Sequence, residues 1–255
     1  MYNHFDVVQK LKEHGLLRKH RSTFDANPFF LKSLCIVADT HRKHRELLIP
    51  ECDLLIHCGD FCSFQREEER TLADADIWFA EAPAKHVVCI GGNHDFLLQS
   101  REFRFAHATF LEDRTVEIGG LLIHGSPWCP DLSGFAYYAT NEQLIEKWRM
   151  IPSGIDVLIT HTPPFGILDI PSSGGIHLGC PHLRAELNRI RPKLHVFGHV
   201  HASHGTQLEN GTRFVNAAVV GGRDLEVCHA PTMVDQTPEA EGDDSANGGQ
   251  GSYLD

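Results

Sequence analysis

Five short apolar runs in this chain each end in a polar residue that can bind a metal or transfer a proton. The runs are four to six residues long, and they lie at 34–38, 53–58, 86–90, 155–160 and 194–197. This length is typical of strands that are buried on both faces and is short for a buried helix. Apolar residues at helical spacing over 67–81 add a helix that covers the sheet. The pattern predicts an α/β domain built on parallel strands.

Further elements are predicted outside these five strands. Two apolar segments around Gly119-Gly120 predict a hairpin or meander over residues 116–125. Helices are predicted over 141–148 and 180–190, the second ending before Pro192. Additional strands are predicted over 213–220 and 225–227.

Length and charge divide the chain into three parts. At 255 residues and 42% hydrophobic content, a single large domain is expected at residues 33–230. Residues 1–32 are interpreted as an N-terminal arm. Residues 231–255 carry six acidic side chains and no Lys or Arg, and we expect this tail to be disordered.

Composition also argues against several classes of protein. The net charge of −11 leaves no basic footprint for nucleic acid. No run approaches the roughly 18 apolar residues of a membrane span, and the charged N-terminus does not resemble a secretory signal. Of the eight cysteines, Cys35 and Cys89 sit inside apolar runs, and no CxxC pair is present. We therefore expect a cytoplasmic protein with reduced cysteines.

The polar residues at the strand ends form one candidate site. The carboxyl ends of parallel strands meet at one edge of a sheet, which is where ligands bind in such folds. Burying these groups unpaired would cost roughly 2–7 kcal/mol each, and metal coordination is a natural compensation. The candidates are Asp39, His41, Asp60, Asn93, His94, Asp95, His161, His199 and His201.

The residue types indicate which ions the site would bind. Imidazoles, carboxylates and one amide suit divalent Mn, Fe or Zn. There are more donors than one ion needs, so we expect two ions about 3.5–4 Å apart that share a carboxylate. Such a pair favours hydrolysis over electron transfer. Each motif alone has many chance matches, and the Asn93-His94-Asp95 segment alone is equally consistent with a turn.

Together these motifs resemble the five-block signature of the calcineurin-like metallophosphoesterase superfamily. The five matching blocks are Asp39-x-His41, Gly59-Asp60, Gly92-Asn93-His94-Asp95, His161 and Gly198-His199-x-His201. The segments at 123–128 and 191–199 are similar to the metallophosphoesterase-domain-containing (MPPED-like) subgroup. The resemblance implies a four-layer α/β/β/α sandwich with a dinuclear metal site at the sheet edge.

The resemblance also implies a role for each residue. The first metal would be held by Asp39, His41 and His201, with Asp60 bridging to the second metal. The second metal would be completed by Asn93, His161 and His199. His94 would be the general acid that protonates the leaving group, and Asp95 would orient it.

The subgroup resemblance points to phosphodiesters, such as nucleotides or cyclic nucleotides, as small phosphoester substrates. Trp128, Phe64 and Phe165 lie near the motif loops and are candidates for stacking on a base, although plain packing explains them equally well. Protein phosphatases of this superfamily carry Asp-Arg-Gly soon after the second block, whereas Asp60 here precedes Phe61-Cys62-Ser63. The alternatives are a phosphomonoesterase or protein phosphatase, an esterase or amidase, and a metal-bound scaffold without activity.

Overall fold

A computed structural model of the chain describes residues 31–63 and 67–235. Nearly all of the predicted N-terminal arm lies outside these residues, as do the candidate Phe64 and most of the acidic tail. Among the described residues, no helix is both long and apolar enough to cross a membrane.

The described residues contain thirteen strands, which are numbered in chain order. They are β1 (Ser33–Val37), β2 (Cys52–His57), β3 (Ala84–Cys89), β4 (Thr109–Phe110), β5 (Arg114–Ile118), β6 (Leu121–Ser126), β7 (Val157–Thr160), β8 (Leu194–Phe197), β9 (Gly205–Glu209), β10 (Thr212–Asn216), β11 (Val220–Gly221), β12 (Glu226–Val227) and β13 (Thr232–Asp235).

Two mixed sheets are built from these strands. The first has the order β13-β1-β2-β3-β4, and the second has the order β5-β6-β7-β8-β10-β9. Neighbours among β1 to β4 are parallel, as are β6, β7, β8 and β10, whereas β13, β5 and β9 pair antiparallel with their neighbours. The predicted hairpin is confirmed as β5–β6. Strands β11 and β12 form a separate two-stranded ribbon.

Four α-helices are described as well: α1 (Glu68–Glu81), α2 (Phe96–Gln99), α3 (Asn141–Met150) and α4 (Pro181–Ile190), with two 3₁₀ helices at His44–Glu46 and His201–Ser203. The predicted helices correspond to α1, α3 and α4. A capping box starts α3, where Gln143 N donates to Thr140 Oγ1 and Thr140 N donates to Gln143 Oε1. Pro181 begins α4, because its missing N–H is not needed in a first turn.

Alternate side chains along each strand pack against different layers of the fold. In β1, Leu34 and Ile36 pack in a core shared with the second sheet, whereas Cys35 and Val37 pack in the core under α1. In β7, Ile159 faces the first sheet and Leu158 packs with α3 and α4. Because side chains alternate between the faces of a strand, each sheet has one face toward the other sheet and one face toward helices. The four-layer α/β/β/α sandwich is confirmed.

The predicted domain end at residue 230 is wrong. Residues 232–235, assigned from sequence to a disordered tail, form β13 and pair with β1 in the register Ser33↔Asp235 to Ile36↔Thr232. The apolar Val234 is 5% exposed and joins the core between the sheets. This strand covers the hydrogen-bonding edge of β1 that would otherwise be open.

Candidate metal centre

Loops from both sheets meet to form the candidate site. The first sheet supplies the loops after β1, β2 and β3, which carry four of the predicted ligands. The second sheet supplies the loops after β7 and β8, which carry the other three. The seven predicted metal ligands all belong to this one cluster, together with His94.

The first group of donors consists of Asp39, His41 and His201. One potential ligand atom from each lies within 4.8 Å of the others. His201 Nε2 is 3.4 Å from Asp39 Oδ1, and the Nε2 atoms of His41 and His201 are 3.3 Å apart. Two imidazole nitrogens at this distance can both bind the same cation.

The second group is centred on Asp60, which is 2% exposed. Its Oδ1 lies 3.5 Å from His161 Nε2, and its Oδ2 lies 3.7 Å from His41 Nε2. The amide Oδ1 of Asn93 is 2.9 Å from the same His161 nitrogen. One oxygen of Asp60 is thus directed toward His41 and the other toward His161. A carboxylate that bridges two cations would occupy this position.

Backbone carbonyl groups orient two of the imidazoles. His41 Nδ1 is 2.7 Å from the carbonyl oxygen of Cys62, and His161 Nδ1 is 2.9 Å from that of Cys58. Since a carbonyl oxygen can only accept, Nδ1 carries the proton in each ring, and in the neutral ring the lone pair is on Nε2. Both Nε2 atoms point into the site.

The backbone of the site is strained. Asp39, His41, Asp60 and His199 have φ values of 53°, 40°, 59° and 70°, in the left-handed region. Such conformations cost on the order of 1–3 kcal/mol each and concentrate at functional sites. These turns fold each loop back so that the side chain points at the sheet edge.

Close approach of a loop explains one glycine of the motifs. A Cβ atom on Gly198 would overlap the Asp39 carboxylate. That carboxylate accepts a hydrogen bond of 2.8 Å from the backbone N–H of His199. The loops after β1 and β8, which belong to different sheets, are therefore in direct contact at this point.

Charge within the cluster shifts the pKa values of its members. Burial opposes ionisation of Asp39, but the neighbouring imidazole of His201 outweighs it and lowers the pKa of Asp39. Burial also opposes the charge of His161, yet Asp60 and Asp39 raise the pKa of His161 to about 9. Because protons and cations compete for the same imidazole nitrogens, a metal ion would displace these protons.

The donor set fits a divalent cation. Asp39 Oδ1 is buried and has no hydrogen bond among the residues described here, and it faces the first group of donors. A buried carboxylate oxygen without a hydrogen bond is costly unless a cation or proton compensates it. Nitrogen and oxygen donors in this proportion suit a divalent transition metal.

His94 lies beside the donors and is more accessible than most of them. Its backbone N–H donates to Asp60 Oδ1 at 2.9 Å, and its Nε2 is 3.9 Å from Asp60 Oδ2. The imidazole is 14% exposed, so part of it is in contact with solvent. Burial lowers the pKa of His94, with Asp60 opposing. A neutral imidazole at this position can exchange a proton with a bound group.

The predicted role of Asp95, which is to orient His94, stays a prediction, and the structure adds contacts of its carboxylate with the backbone. Asp95 accepts hydrogen bonds from the backbone N–H groups of Asp60, Phe61, Cys62 and Gly92, at 2.8–3.3 Å. Burial and the charge of Asp60 raise the pKa of Asp95 to about 7, although these N–H groups oppose the shift. Asp95 thus connects the loops after β2 and β3.

The predicted substrate residues differ in position. Trp128 Nε1 donates to Asp113 at 2.9 Å, and the Lys147 ammonium lies 4.0 Å from its ring centroid. These contacts occupy the indole nitrogen and one face of the ring, and base stacking by Trp128 stays a prediction. Phe165 is 43% exposed, with its ring centroid 4.8 Å from that of His177, so it stays a candidate.

Two residues that sequence reasoning missed lie next to the site. The ring of Phe135 meets that of His94 edge to face at 5.4 Å and is 36% exposed. Its neighbour Ala136 donates from its backbone N–H to the Asn93 carbonyl at 3.0 Å. The second residue is Cys129, whose sulfur lies close to His161 and His199. Neither residue belongs to a sequence motif.

Comparison with known sequences gives consistent results. The profile of the family described as calcineurin-like phosphoesterase matches residues 32–203. A UPF0046 protein of Caenorhabditis elegans is 35% identical over 230 residues, which is 83% of this chain and 77% of that protein. Human metallophosphoesterase domain-containing protein 1 is 32% identical over 221 residues, which is 75% of this chain and 67% of that protein.

A solved structure shares the fold. The phosphopantetheinyl hydrolase of Mycobacterium tuberculosis is similar with a TM-score of 0.50 and 16% identity, over 73% of this chain and 89% of that protein. At this level of identity the likeness concerns the arrangement of strands and helices alone.

Proposed function

Because the chain belongs to the calcineurin-like phosphoesterase family, we propose that it hydrolyses phosphodiesters with two divalent cations and that His94 protonates the leaving group. Metal-dependent hydrolysis of phosphoesters is the chemistry of this family, and the described cluster supplies suitable ligands. The observation that carries the two-cation proposal is the position of Asp60, which directs one oxygen to His41 and the other to His161.

In this proposal, Asp39, His41 and His201 would hold the first cation, Asn93, His161 and His199 would hold the second, and Asp60 would bind both. When bound, two such cations lower the pKa of a shared water and offset negative charge on the phosphoryl oxygens. The carbonyl groups of Cys62 and Cys58 hold two of the imidazoles in the required orientation. Mn, Fe and Zn are the candidate ions.

His94 is positioned to assist departure of the alcohol. Its side chain reaches the accessible side of the donor cluster and lies within 4 Å of the buried carboxylate of Asp60. That negative charge favours the protonated imidazole and partly offsets the effect of burial on the pKa of His94. The ordinary pKa of histidine lies near neutral pH, and a protonated imidazole at this position would donate its proton as the bond to the leaving oxygen breaks.

The surrounding charge favours a diester over a monoester. A diester carries one negative charge, whereas a monoester carries close to two at neutral pH. The basic residue next to the ligands in sequence, Arg42, forms an ion pair with Glu67, so it is already neutralised. The half-exposed rings of Phe135 and Phe165 offer apolar contact to the second ester group, as a nucleotide or cyclic nucleotide would provide.

The proposal is tested with purified protein depleted of metal and then loaded with Mn²⁺, Fe²⁺ or Zn²⁺. We expect metal-dependent release of p-nitrophenol from bis-p-nitrophenyl phosphate, slower release from p-nitrophenyl phosphate, and none from p-nitrophenyl acetate. A panel of cyclic and linear nucleotides then defines the substrate class. The His161→Ala variant, purified in parallel, measures contaminating phosphatase activity.

Each alternative predicts a different result in this experiment. Activity on the monoester alone would show that the protein is a phosphomonoesterase and not a phosphodiesterase. Activity on the acetate would indicate an esterase. No metal-dependent release from any compound, with metal bound, would indicate a scaffold that binds a partner.

We also propose a cytoplasmic location. All eight cysteines are free, and seven are buried, as is usual in a reducing compartment. Subcellular fractionation of the native protein tests this directly.

A further inference from the structure

The thiol of Cys129 lies beside two imidazoles of the metal centre. One ligand nitrogen of His161, one of His199 and the sulfur of Cys129 all lie within 4.8 Å of one another. The two rings meet at 5.1 Å with an angle of 65° between their planes. Among the described residues, His199 belongs to one group of three potential metal ligands, and the other two members are His161 and Cys129.

The backbone fixes the position of this sulfur. Cys129 N–H donates to the carbonyl of Tyr137 at 2.9 Å, and its own carbonyl accepts from the N–H of Ala139 at 3.1 Å. The side chain is fully buried, and its thiol donates a hydrogen bond to the carbonyl oxygen of Pro127 at 3.7 Å. The sulfur is thus held on the side of the His161–His199 pair.

Cysteine burial is common in this protein, but this position differs from the others. Within the part of the chain that the structure describes, which includes all eight cysteines, no other cysteine belongs to a group of potential metal ligands. Cys180, for example, is a packing residue, and its sulfur is 3.3 Å from the indole nitrogen of Trp148. Cys129 is the exception that faces donors of the proposed centre.

We propose that Cys129 is a sulfur ligand of the second cation, so that this position selects a thiophilic metal such as Zn²⁺, Co²⁺ or Cd²⁺. The inference rests on the two-cation centre proposed above and adds a donor to it. On binding, the S–H bond breaks, the thiolate pair forms a bond to the cation, and the proton leaves to solvent. Soft thiolate donors favour such ions over Mn²⁺ or Mg²⁺.

The proposal gives the two positions different preferences. Asp39, His41 and His201 offer only oxygen and nitrogen, so the first position lacks the additional preference for Zn²⁺ that a thiolate gives. The second position adds sulfur to His161 and His199, so Zn²⁺ should enter it in preference to Mn²⁺. When less than one equivalent of Zn²⁺ is added, it should therefore enter the second position before the first.

The test is an anaerobic titration of metal-free, full-length protein with Co²⁺, followed by absorption spectroscopy. Thiolate ligation produces a near-ultraviolet sulfur-to-cobalt charge-transfer band, which nitrogen and oxygen ligands do not. The variants are Cys129→Ser and Cys129→Ala. Cys228→Ser is the matched control, because Cys228 is the exposed cysteine and the one most open to adventitious metal.

We expect wild type and Cys228→Ser to bind two Co²⁺ ions, with the band appearing during binding of one of them. Both Cys129 variants should lose the band and keep cobalt d–d absorption from the first position. Their affinity for Zn²⁺ at the second position should fall about 10- to 100-fold. Circular dichroism shows whether each variant is folded.

Two results would overturn the proposal, and they separate it from the proposed function. If wild type binds two Co²⁺ ions without a sulfur band, the cysteine ligand is wrong and the two-cation centre stands. If wild type binds fewer than two ions, both proposals fail. Because the wild-type protein alone gives these answers, they do not depend on whether the Cys129 variants fold.

Discussion

The carboxylate of Asp95 accepts a hydrogen bond from the backbone N–H of Asp60, with a nitrogen–oxygen distance of 2.9 Å. Asp95 belongs to the loop after β3 and Asp60 to the loop after β2, so this bond joins two loops that carry metal-ligand candidates. Asp60 has a left-handed φ of 59°, and the bond helps to hold that strained turn. Asp95 is therefore a positioning residue for Asp60.

Asp95→Asn should destabilise the metal-free protein by about 1–3 kcal/mol. The amide NH₂ of Asn would face backbone N–H donors, which leaves buried groups without a partner. Because the turn at Asp60 loosens, metal affinity should fall as well. Urea unfolding and metal titration measure the two effects. Unchanged stability and metal affinity with reduced turnover would instead support an orienting role of Asp95 toward His94.

His94→Ala should reduce turnover of substrates with poor leaving groups by roughly 10²- to 10⁴-fold, the usual contribution of a general acid. Esters of p-nitrophenol should lose less, since this leaving group departs without a proton. Metal content, measured by elemental analysis, should stay near that of wild type. Loss of metal would show that His94 is a ligand, for which it is close enough to His41 and Asp60.

Phe135→Ala should raise KM for aryl and nucleoside diesters roughly three- to tenfold, which corresponds to the loss of one aromatic contact. KM for dialkyl esters should change little, and metal content should not change. Trp128→Phe is the matched control, because it removes the bond to Asp113 and keeps an aromatic ring at that position. Equal effects of both variants on KM would point to a disturbed loop in place of a lost substrate contact.

Acid should destabilise the fold through two buried histidines. Burial lowers the pKa values of His57 and His195 from 6.5 to about 3. The unfolded chain takes up protons as pH falls below 6.5, whereas the folded protein does not until about pH 3. The stability that these neutral histidines contribute is therefore fully present above the pKa of the unfolded state. It is lost progressively as the pH falls toward the pKa of the folded state.

The contribution of a single histidine can be isolated by substitution. His195 Nε2 lies 2.8 Å from Thr160 Oγ1, and His195→Gln can retain a hydrogen bond without titrating. Between pH 6 and pH 4, the slope of unfolding free energy against pH should become shallower by up to about 1.4 kcal/mol per pH unit. Denaturant unfolding at each pH measures this slope. An unaltered slope would mean that His195 binds a proton equally in both states.

The main strands and their ends could be predicted because their signals are local. A short apolar run followed by Asp60 or His161 identifies a buried strand and a polar loop without knowledge of the partners. Strand β13 could not be predicted in this way, because four residues in an acidic, glycine-rich context become a strand only by pairing with β1. The sequence pattern at 232–235 resembles that of a tail.

Details of the site depend on tertiary geometry that no motif encodes. Asp95 follows His94 in sequence, which suggested a direct partnership. The turn at Asp60 also brings several backbone N–H groups to the carboxylate of Asp95, which no motif indicates. Phe135 and Cys129 reach the site through the segment after β6, which carries no recognisable spacing. Their roles required the fold.

The donors of the proposed centre come from two sheets, and this arrangement has a consequence for biosynthesis. The loops after β1, β2 and β3 leave the ribosome first and carry Asp39, His41, Asp60 and Asn93. The remaining donors follow much later, after β7 and β8 have been made. A nascent or truncated chain that ends before His199 can retain a cation only weakly. Stable metal uptake would therefore mark a chain whose two sheets have both been synthesised and have docked.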